Sequence, residues 1–171
     1  NPLDEAIVTQ ANPGTDGVIK LAEIPYDFIR KRLTVIIEEN NQKIMVTKGA
    51  LDNILAVCTQ IIVGGKGIPL NRGHLDQIRA RFAAWSEQGY RVLGVASNTV
   101  SKPDAFTQED EQDMIFEGFL LFFDPPKTDV QETIVRLAEL GVSLKIITGD
   151  NKLVALHTAD AIGMKVAGVL T

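Results

Sequence analysis

The stretch that most restricts the fold is Phe119 to Asp150, FLLFFDPPKTDVQETIVRLAELGVSLKIITGD. An apolar run, Phe119 to Phe123, stops at Asp124 and the pair Pro125-Pro126. Val130, Ile134, Leu137 and Ala138 then recur at helical spacing. Thr128 with Gln131 three places on predicts a capping box at the start of that helix, and Gly141 a left-handed cap at its end. Ser143 to Ile147 predicts a second apolar strand, closed by Thr148-Gly149-Asp150. Strand, helix and strand over about thirty residues make one parallel, right-handed crossover unit. Ligands of such sheets collect beyond the carboxyl ends of the strands, where both short polar motifs stand. Turns are rich in Asp, Pro and Gly for conformational reasons alone, so residue type by itself does not make these ends a site.

Upstream, Asn1 to Gln10 opens with a proline and acidic residues, a helical beginning, and Asn12 to Gly17 is a loop. Leu33, Val35 and Ile37 alternate, Asn40-Asn41 turns the chain, and Ile44 and Val46 resume, which predicts a β-hairpin. Lys48-Gly49-Ala50 then hands the strand over to a helix with Leu51, Ile54, Leu55 and Cys58. Gln60 to Val63 and Ile68 to Leu70 predict a second hairpin around Gly64-Gly65-Lys66-Gly67. That glycine run lacks the spacing and the Ser/Thr of a phosphate-binding P-loop, so it reads as a turn. A helix follows from Arg72 to Gln88, with Leu75, Ile78, Phe82 and Trp85 as its core stripe and His74 on the surface. Gly89 ends it, Tyr90 to Ser97 is an apolar strand, and Ser101 to Asp113 reads as a polar, mobile loop without a motif. Met114 to Phe116 re-enters strand, and Lys152 to Met164 predicts a helix on which His157 has a structural place.

The 171 residues suffice for one domain, or one domain and a piece of a second. A formal charge of −5 with both signs mixed argues against a nucleic-acid surface. Cys58 is the single cysteine, which excludes a disulfide framework and a zinc cluster and points to a reducing compartment. No apolar run approaches the ~20 residues that cross a bilayer, and no signal peptide is visible. The first residue, Asn1, is not methionine, and the expectation is a piece of a longer chain.

Several of these words occur in one family's order. DPPK followed at this distance by TGDN resembles the phosphorylation domain of the P-type cation-transporting ATPases. IPYDFIRKRLTV resembles that family's IPFxxxRKRMSV segment, KGALD its KGA motif without the Pro-Glu that often follows, and YRVLGVAS its arginine-bearing strand. The resemblance implies an α+β nucleotide-binding domain over residues 1–117, an antiparallel twisted sheet flanked by helices. A partial α/β haloacid-dehalogenase-like (Rossmann-like) unit of the phosphorylation domain would follow over 118–171.

The same resemblance implies roles for particular residues. Tyr26 stacks its ring on adenine, a purpose that needs the π-face and not the hydroxyl. Asp4 places a carboxylate near the adenine amino group, Lys31 lies beside the nucleotide, and Lys48 reaches the pocket floor past Gly49. Arg91 grips phosphate oxygens with its planar fork, and Leu93 lies against the adenosine. Asp124, Thr148, Gly149 and Asp150 stand on the phosphate side. Each has a plainer alternative: first-turn acid for Asp4, strand-edge aromatic for Tyr26, solvated edge charges for Lys31 and Arg32, an ordinary turn at Lys48-Gly49, and a surface ion pair for Arg91.

The family's nucleophile lies in DKTGT and its metal-holding aspartates in GDGxND; neither occurs here. The resemblance therefore implies a fragment that binds ATP with no catalytic nucleophile and no metal ligand of its own, Mg²⁺ acting in the full-length enzyme. Its partners would be adenine nucleotide and the transmembrane and actuator domains of the same pump, and not nucleic acid; its place, the cytoplasmic side of an inner-membrane protein. The KGAL variant, DPPK and FEGFLLFFDPPK resemble the magnesium-importing branch, with calcium and proton pumps as alternatives. A soluble haloacid-dehalogenase-type phosphatase would need an Asp-x-Asp nucleophile motif, which the chain lacks. A non-catalytic binding module would need the ordered agreement at Tyr26, Lys48, Arg91, Asp124 and Thr148 to be coincidence.

Overall fold

The computed structural model describes the chain except Asn1, Asn12, Pro13, Thr15, Lys102, Pro103, Asp104, Thr128 and Thr171, and the side chains of Pro2, Leu3, Asp4 and Ala11. The capping box expected at Thr128 and the carboxylate expected of Asp4 thus lie outside the described residues. The chain divides into two compact units, Asn1–Asn71 with Leu93–Leu120, and Arg72–Val92 with Leu121–Thr171.

Helix α1 (Pro2–Ala11) leads into β1 (Ile19–Asp27), β2 (Arg32–Glu39) and β3 (Gln42–Gly49). The predicted hairpin is β2–β3, turned by Asn40 and Asn41 at φ 50° and 63°, the left-handed pair that a two-residue hairpin turn needs. After α2 (Leu51–Leu55) comes the second predicted hairpin, β4 (Cys58–Val63) and β5 (Lys66–Pro69), with Gly64 and Gly65 at its tip. Helix α3 (Arg72–Glu87), β6 (Arg91–Thr99) and β7 (Met114–Phe122) follow. The strands form one sheet in the order β1-β2-β3-β6-β7-β4-β5.

The sheet is mixed, not purely antiparallel as expected: β4 pairs β7 in parallel. A parallel pair needs a long connection, and β5, α3 and β6 intervene between these two strands. Alternation sorts the sheet's two faces. Thr34 and Ile36 of β2, Met45 and Thr47 of β3 and Ala96 of β6 are fully buried, and they meet as the cross-strand partners Thr34↔Thr47, Ile36↔Met45 and Thr47↔Ala96. Helix α2 covers this face with Leu51, Ile54 and Leu55. Each fully buried Ile or Met here contributes about 1.5–3 kcal/mol relative to an exposed side chain.

In the second unit α3 packs against α5 (Lys152–Ala161). Asn151 caps α5: its Oδ1 accepts from the backbone N–H of Leu153 (2.9 Å) and Val154 (3.1 Å), while its Nδ2 donates to the buried Ser86 Oγ at 3.1 Å. Of the stripe expected as core, only Ile78 is buried; Leu75, Phe82 and Trp85 stay half-exposed, as does His74. Gly89 ends α3 at φ 83°, and a Cβ there would stand 2.3 Å from His157 Cδ2, so the imidazole occupies room that only glycine leaves. His157 has the structural place expected of it, its Nδ1 lying 3.0 Å from the Glu87 carbonyl.

The crossover unit takes another form. Helix α4 (Val130–Glu139) is present and Gly141 caps it at φ 76°, but residues 143–147 form no strand. Among the described residues no strand pairs with residues 143–147, and β4 pairs β7 only from Met114 to Phe116. The apolar stripe of α4 consequently buries no residue, and Ile147 is 97% exposed. An open groove of about 930 Å³ runs among residues 143–148 and 164–170. Without ladder hydrogen bonds, amides from Leu144 to Ile147 should exchange with deuterium nearly as fast as an unstructured peptide. Hydrogen-exchange mass spectrometry checks this; protection there matching β2 and β3 would mean that a sheet forms after all.

Candidate functional site

One row of cross-strand partners crosses four strands of the first unit: Asp27↔Arg32, Arg32↔Gly49 and Gly49↔Gly94. At the usual strand spacing that row is roughly 14 Å long. Tyr26 precedes Asp27, Lys31 precedes Arg32, Lys48 precedes Gly49 and Leu93 precedes Gly94, so these predicted site residues gather at one end of the sheet. Lys48 pairs with Val95, which puts it on the face opposite the core, with Leu93 two residues from its partner on that same face. The Tyr26 ring is 49% exposed and meets Phe28 edge to face, centroids 5.5 Å apart. Phe28 and Ile29, at 86% and 90% exposed, form the tip of the β1–β2 turn.

Gly49 is the pivot of the row. A Cβ there would stand 2.3 Å from the Lys31 carbonyl oxygen and 2.7 Å from Arg32 Cα, both backbone atoms. The Lys31 carbonyl accepts instead from Ala50 N–H at 3.0 Å. Lys31 itself is exposed, at φ 50° where the turn rejoins β2. Arg32 is not the solvated edge charge that its sequence allowed, because β2 lies inside the sheet and β1 forms the edge.

Beneath this end sits a buried ionic cluster that the sequence did not announce. Glu111 is 3% exposed and accepts four hydrogen bonds: two from Arg30 Nη1 (2.6 Å to each oxygen), one from Arg32 Nε (2.7 Å to Oε2) and one from Thr34 Oγ1 (2.6 Å to Oε1). Thr34 spends its single hydroxyl proton on Glu111, so Thr47 Oγ1 donates to Thr34 across 2.7 Å. Arg32 Nη1 also donates to the Asn53 carbonyl at 3.0 Å. Arg30 pairs with Asp27 through Nε, and the two carboxylates balance the two guanidiniums. Residues 107–111 of the segment expected as a mobile, motif-free loop are thus tied down, with a capped 3₁₀ turn at Gln108–Asp110 leading directly into Glu111. What hid it is that its carboxylate is matched by arginines about eighty residues earlier, outside any local pattern.

Burial alone would push the Glu111 carboxyl up, but hydrogen bonds from Arg30, Thr34 and Arg32 outweigh it and hold the group below its ordinary 4.5. A folded-state value below the unfolded one gives stability that is complete above about pH 4.5 and lost as pH falls through the folded value. Thermal melts of wild type and Glu111→Gln should therefore differ most above about pH 4.5 and converge as pH falls through the folded value. Asp27 is likewise lowered, first by the backbone N–H of Arg30 against a smaller opposing effect of burial. Cys58, by contrast, is pushed up to about 12 by burial, and its thiol donates to the Ile54 carbonyl; it is no nucleophile.

The phosphate-side residues belong to the second unit. Arg91 forms a bidentate pair with Asp150, Nε to Oδ1 at 2.8 Å and Nη2 to Oδ2 at 3.0 Å. Thr148 Oγ1 donates to Asp150 Oδ2 (3.1 Å) and accepts from Asp150 N–H (3.0 Å), folding Thr148-Gly149-Asp150 into a tight turn. Arg91 thus takes the carboxylate partner that its plainer reading allowed, in the fork geometry that a phosphate would also satisfy. Asp124 is exposed beyond the end of β7 and takes no part in this network among the described residues.

Residues 9–129 match the family model of the P-type ATPase cytoplasmic domain N. The chain belongs to this family. A magnesium-transporting ATPase, P-type 1, of Salmonella typhimurium is 36% identical over 177 residues, which cover 99% of this chain and 20% of that protein. The counterpart of the same name in Escherichia coli is 36% identical over 88% of this chain and 17% of its own length. A calcium-transporting ATPase 1 of Bacillus cereus is 30% identical over 85% of this chain and 16% of its own. The chain thus spans about a fifth of the length of such P-type relatives. No helix among its described residues is long and apolar enough to cross a membrane.

Proposed function

We propose that this chain holds the adenine nucleotide for a membrane P-type ATPase that couples ATP hydrolysis, through an aspartyl-phosphate, to the transport of a cation, Mg²⁺ by preference. The observation that carries the reading is the row Asp27–Arg32–Gly49–Gly94, which lines up Tyr26, Lys31, Lys48 and Leu93 at one end of the sheet. A half-exposed ring and a lysine and a leucine on the outer face are the donors that a purine nucleotide takes: a π-surface, a cation and an apolar contact. In this reading Tyr26 stacks on the base, Leu93 packs against the sugar, and Lys48 meets ring nitrogens or phosphate oxygens. Gly49 keeps the strand end open, Lys31 lies beside the nucleotide, and Asp4 takes the adenine amino group. Arg91, with Thr148, Gly149, Asp150 and Asp124, serves the phosphate side.

ATP would supply the transferable γ-phosphoryl group; the residues of this chain bind and orient it. The nucleophilic aspartate and the Mg²⁺-holding aspartates would belong to the rest of the pump, with its transmembrane and actuator domains, and the nucleotide unit to the cytoplasmic side of the inner membrane. The division at residues 117/118 into nucleotide-binding and partial haloacid-dehalogenase-like parts belongs to the same proposal. Two similar relatives carry magnesium in their names, and a calcium pump, also similar, makes Ca²⁺ the second reading.

Isothermal calorimetry with ATP tests the site. Tyr26→Ala should weaken binding by about 1–3 kcal/mol, the range for base–aromatic stacking, while Tyr26→Phe should be nearly silent. With base contacts dominating, ATP, ADP and AMP should bind within about tenfold of one another. Equal damage from both tyrosine variants, or no binding of any adenine nucleotide, would overturn the assignment.

A further inference from the structure

We infer that Glu111 is a positioning residue for the nucleotide site, acting through Arg30 on Tyr26 and through Arg32 on the Lys48-Gly49 strand end. This inference rests on the nucleotide reading above and adds to it a residue from a distant part of the chain.

The geometry runs through Arg30. Its Nη2 donates to the Pro25 carbonyl at 2.8 Å and its Nε to the Asp27 carboxylate, so one guanidinium holds the residues on both sides of Tyr26. Asp27 in turn accepts from the backbone N–H of Ile29 (2.8 Å) and Arg30 (2.6 Å), and the Asp27 carbonyl accepts from Lys31 N–H (2.8 Å), which closes the turn. The remaining nitrogen, Nη1, is fixed on both oxygens of the buried Glu111. Remove Glu111 and that guanidinium keeps its grip on Pro25 and Asp27 but loses its anchor to the body of the unit.

The second arm is shorter. Arg32 Nε donates to Glu111 Oε2, and Arg32 is the cross-strand partner of Gly49. The backbone of residues 31 and 32 fills the space where a Gly49 side chain would go. Any shift of Arg32 is therefore passed by contact to the strand end that carries Lys48. β1 is the edge strand and shows register shifts on both sides of Ala22–Ile24, so its ladder alone holds the Tyr26 segment weakly. A carboxylate that accepts four hydrogen bonds and has no exposed oxygen is the rigid point from which such a segment can be placed.

Arg30→Lys is the decisive variant. A lysine ammonium can still meet Glu111, but it has no planar fork with which to hold Pro25 and Asp27 at the same time. ATP binding should be measured by calorimetry on the whole chain, at a temperature where circular dichroism shows the variant folded. The expected result is a loss of about tenfold, within what a misplaced contact group costs. Combined with Tyr26→Ala, the double variant should bind no more weakly than Tyr26→Ala alone, because the arginine acts through the ring. Glu111→Gln combined with Tyr26→Ala should lose less than the two losses summed, the remainder being its effect through Arg32 on the Lys48 strand end, and Arg30→Lys decides where Glu111→Gln does not fold. If Tyr26→Ala weakens ATP but Arg30→Lys leaves it unchanged, or if the two losses add in full, the positioning role is wrong while the nucleotide reading stands. If Tyr26→Ala is itself silent, the nucleotide reading fails and this inference with it.

Discussion

Glu111→Ala is expected to cost the chain about 3–5 kcal/mol, because it strands two arginines that are only 11% and 12% exposed beside a cavity where their counter-charge stood. Stability of ordinary domains is about 5–15 kcal/mol, so the variant should sit close to unfolding at 37 °C. The loss belongs to leaving charge uncompensated and not to the net worth of the pair. Replacing Glu111, Arg30 and Arg32 together by apolar residues of similar volume should therefore be milder than Glu111→Ala alone. Urea titration followed by circular dichroism checks both variants. A Glu111→Ala midpoint within error of wild type would mean that water enters the cluster and screens it, contrary to a side chain with no exposed surface.

Gly49→Val is expected to do comparable damage by a different route, about 3 kcal/mol, the upper end of what overpacking costs. The atoms that a side chain would strike, Lys31 O at 2.3 Å and Arg32 Cα at 2.7 Å, are main chain and have no alternative rotamer. The β2 and β3 ends must separate, which breaks the Ala50 N–H bond to the Lys31 carbonyl and moves Lys48. Nucleotide binding should fall even where the fold survives. Measuring melting temperature and ATP affinity on the same sample distinguishes this from a surface turn, at which valine would change neither.

Much of the local structure was readable from residue order. The β2–β3 hairpin with its Asn40-Asn41 turn, the β4–β5 hairpin, helices α3 and α4 and the cap at Gly141 all follow from periodicity and turn chemistry, which act between residues a few positions apart. Family membership was readable for the same reason: short words such as IPYDFIRKRL, KGA and DPPK keep their order along the chain. The candidate site was legible as a set of residues, Tyr26, Lys48 and Leu93 among them, but not as a place.

The place came from pairing. Only the strand order β1-β2-β3-β6-β7-β4-β5 brings Tyr26, Lys31, Lys48 and Leu93 to one row, since register is a relation between strands far apart in sequence. The same holds for what went unread. Ser143 to Ile147 has the composition of a strand, yet a strand exists only where ladder partners stand beside it, and these residues have none among the described residues. Glu111 looks like one more acid in a polar loop, because its partners, Arg30 in the β1–β2 turn and Arg32 and Thr34 on β2, stand about eighty residues away. Composition and periodicity determined which segments could become helices and strands. Tertiary structure alone decided which edges were open and which charges were buried, because desolvation and ladder hydrogen bonds depend on what lies alongside in space.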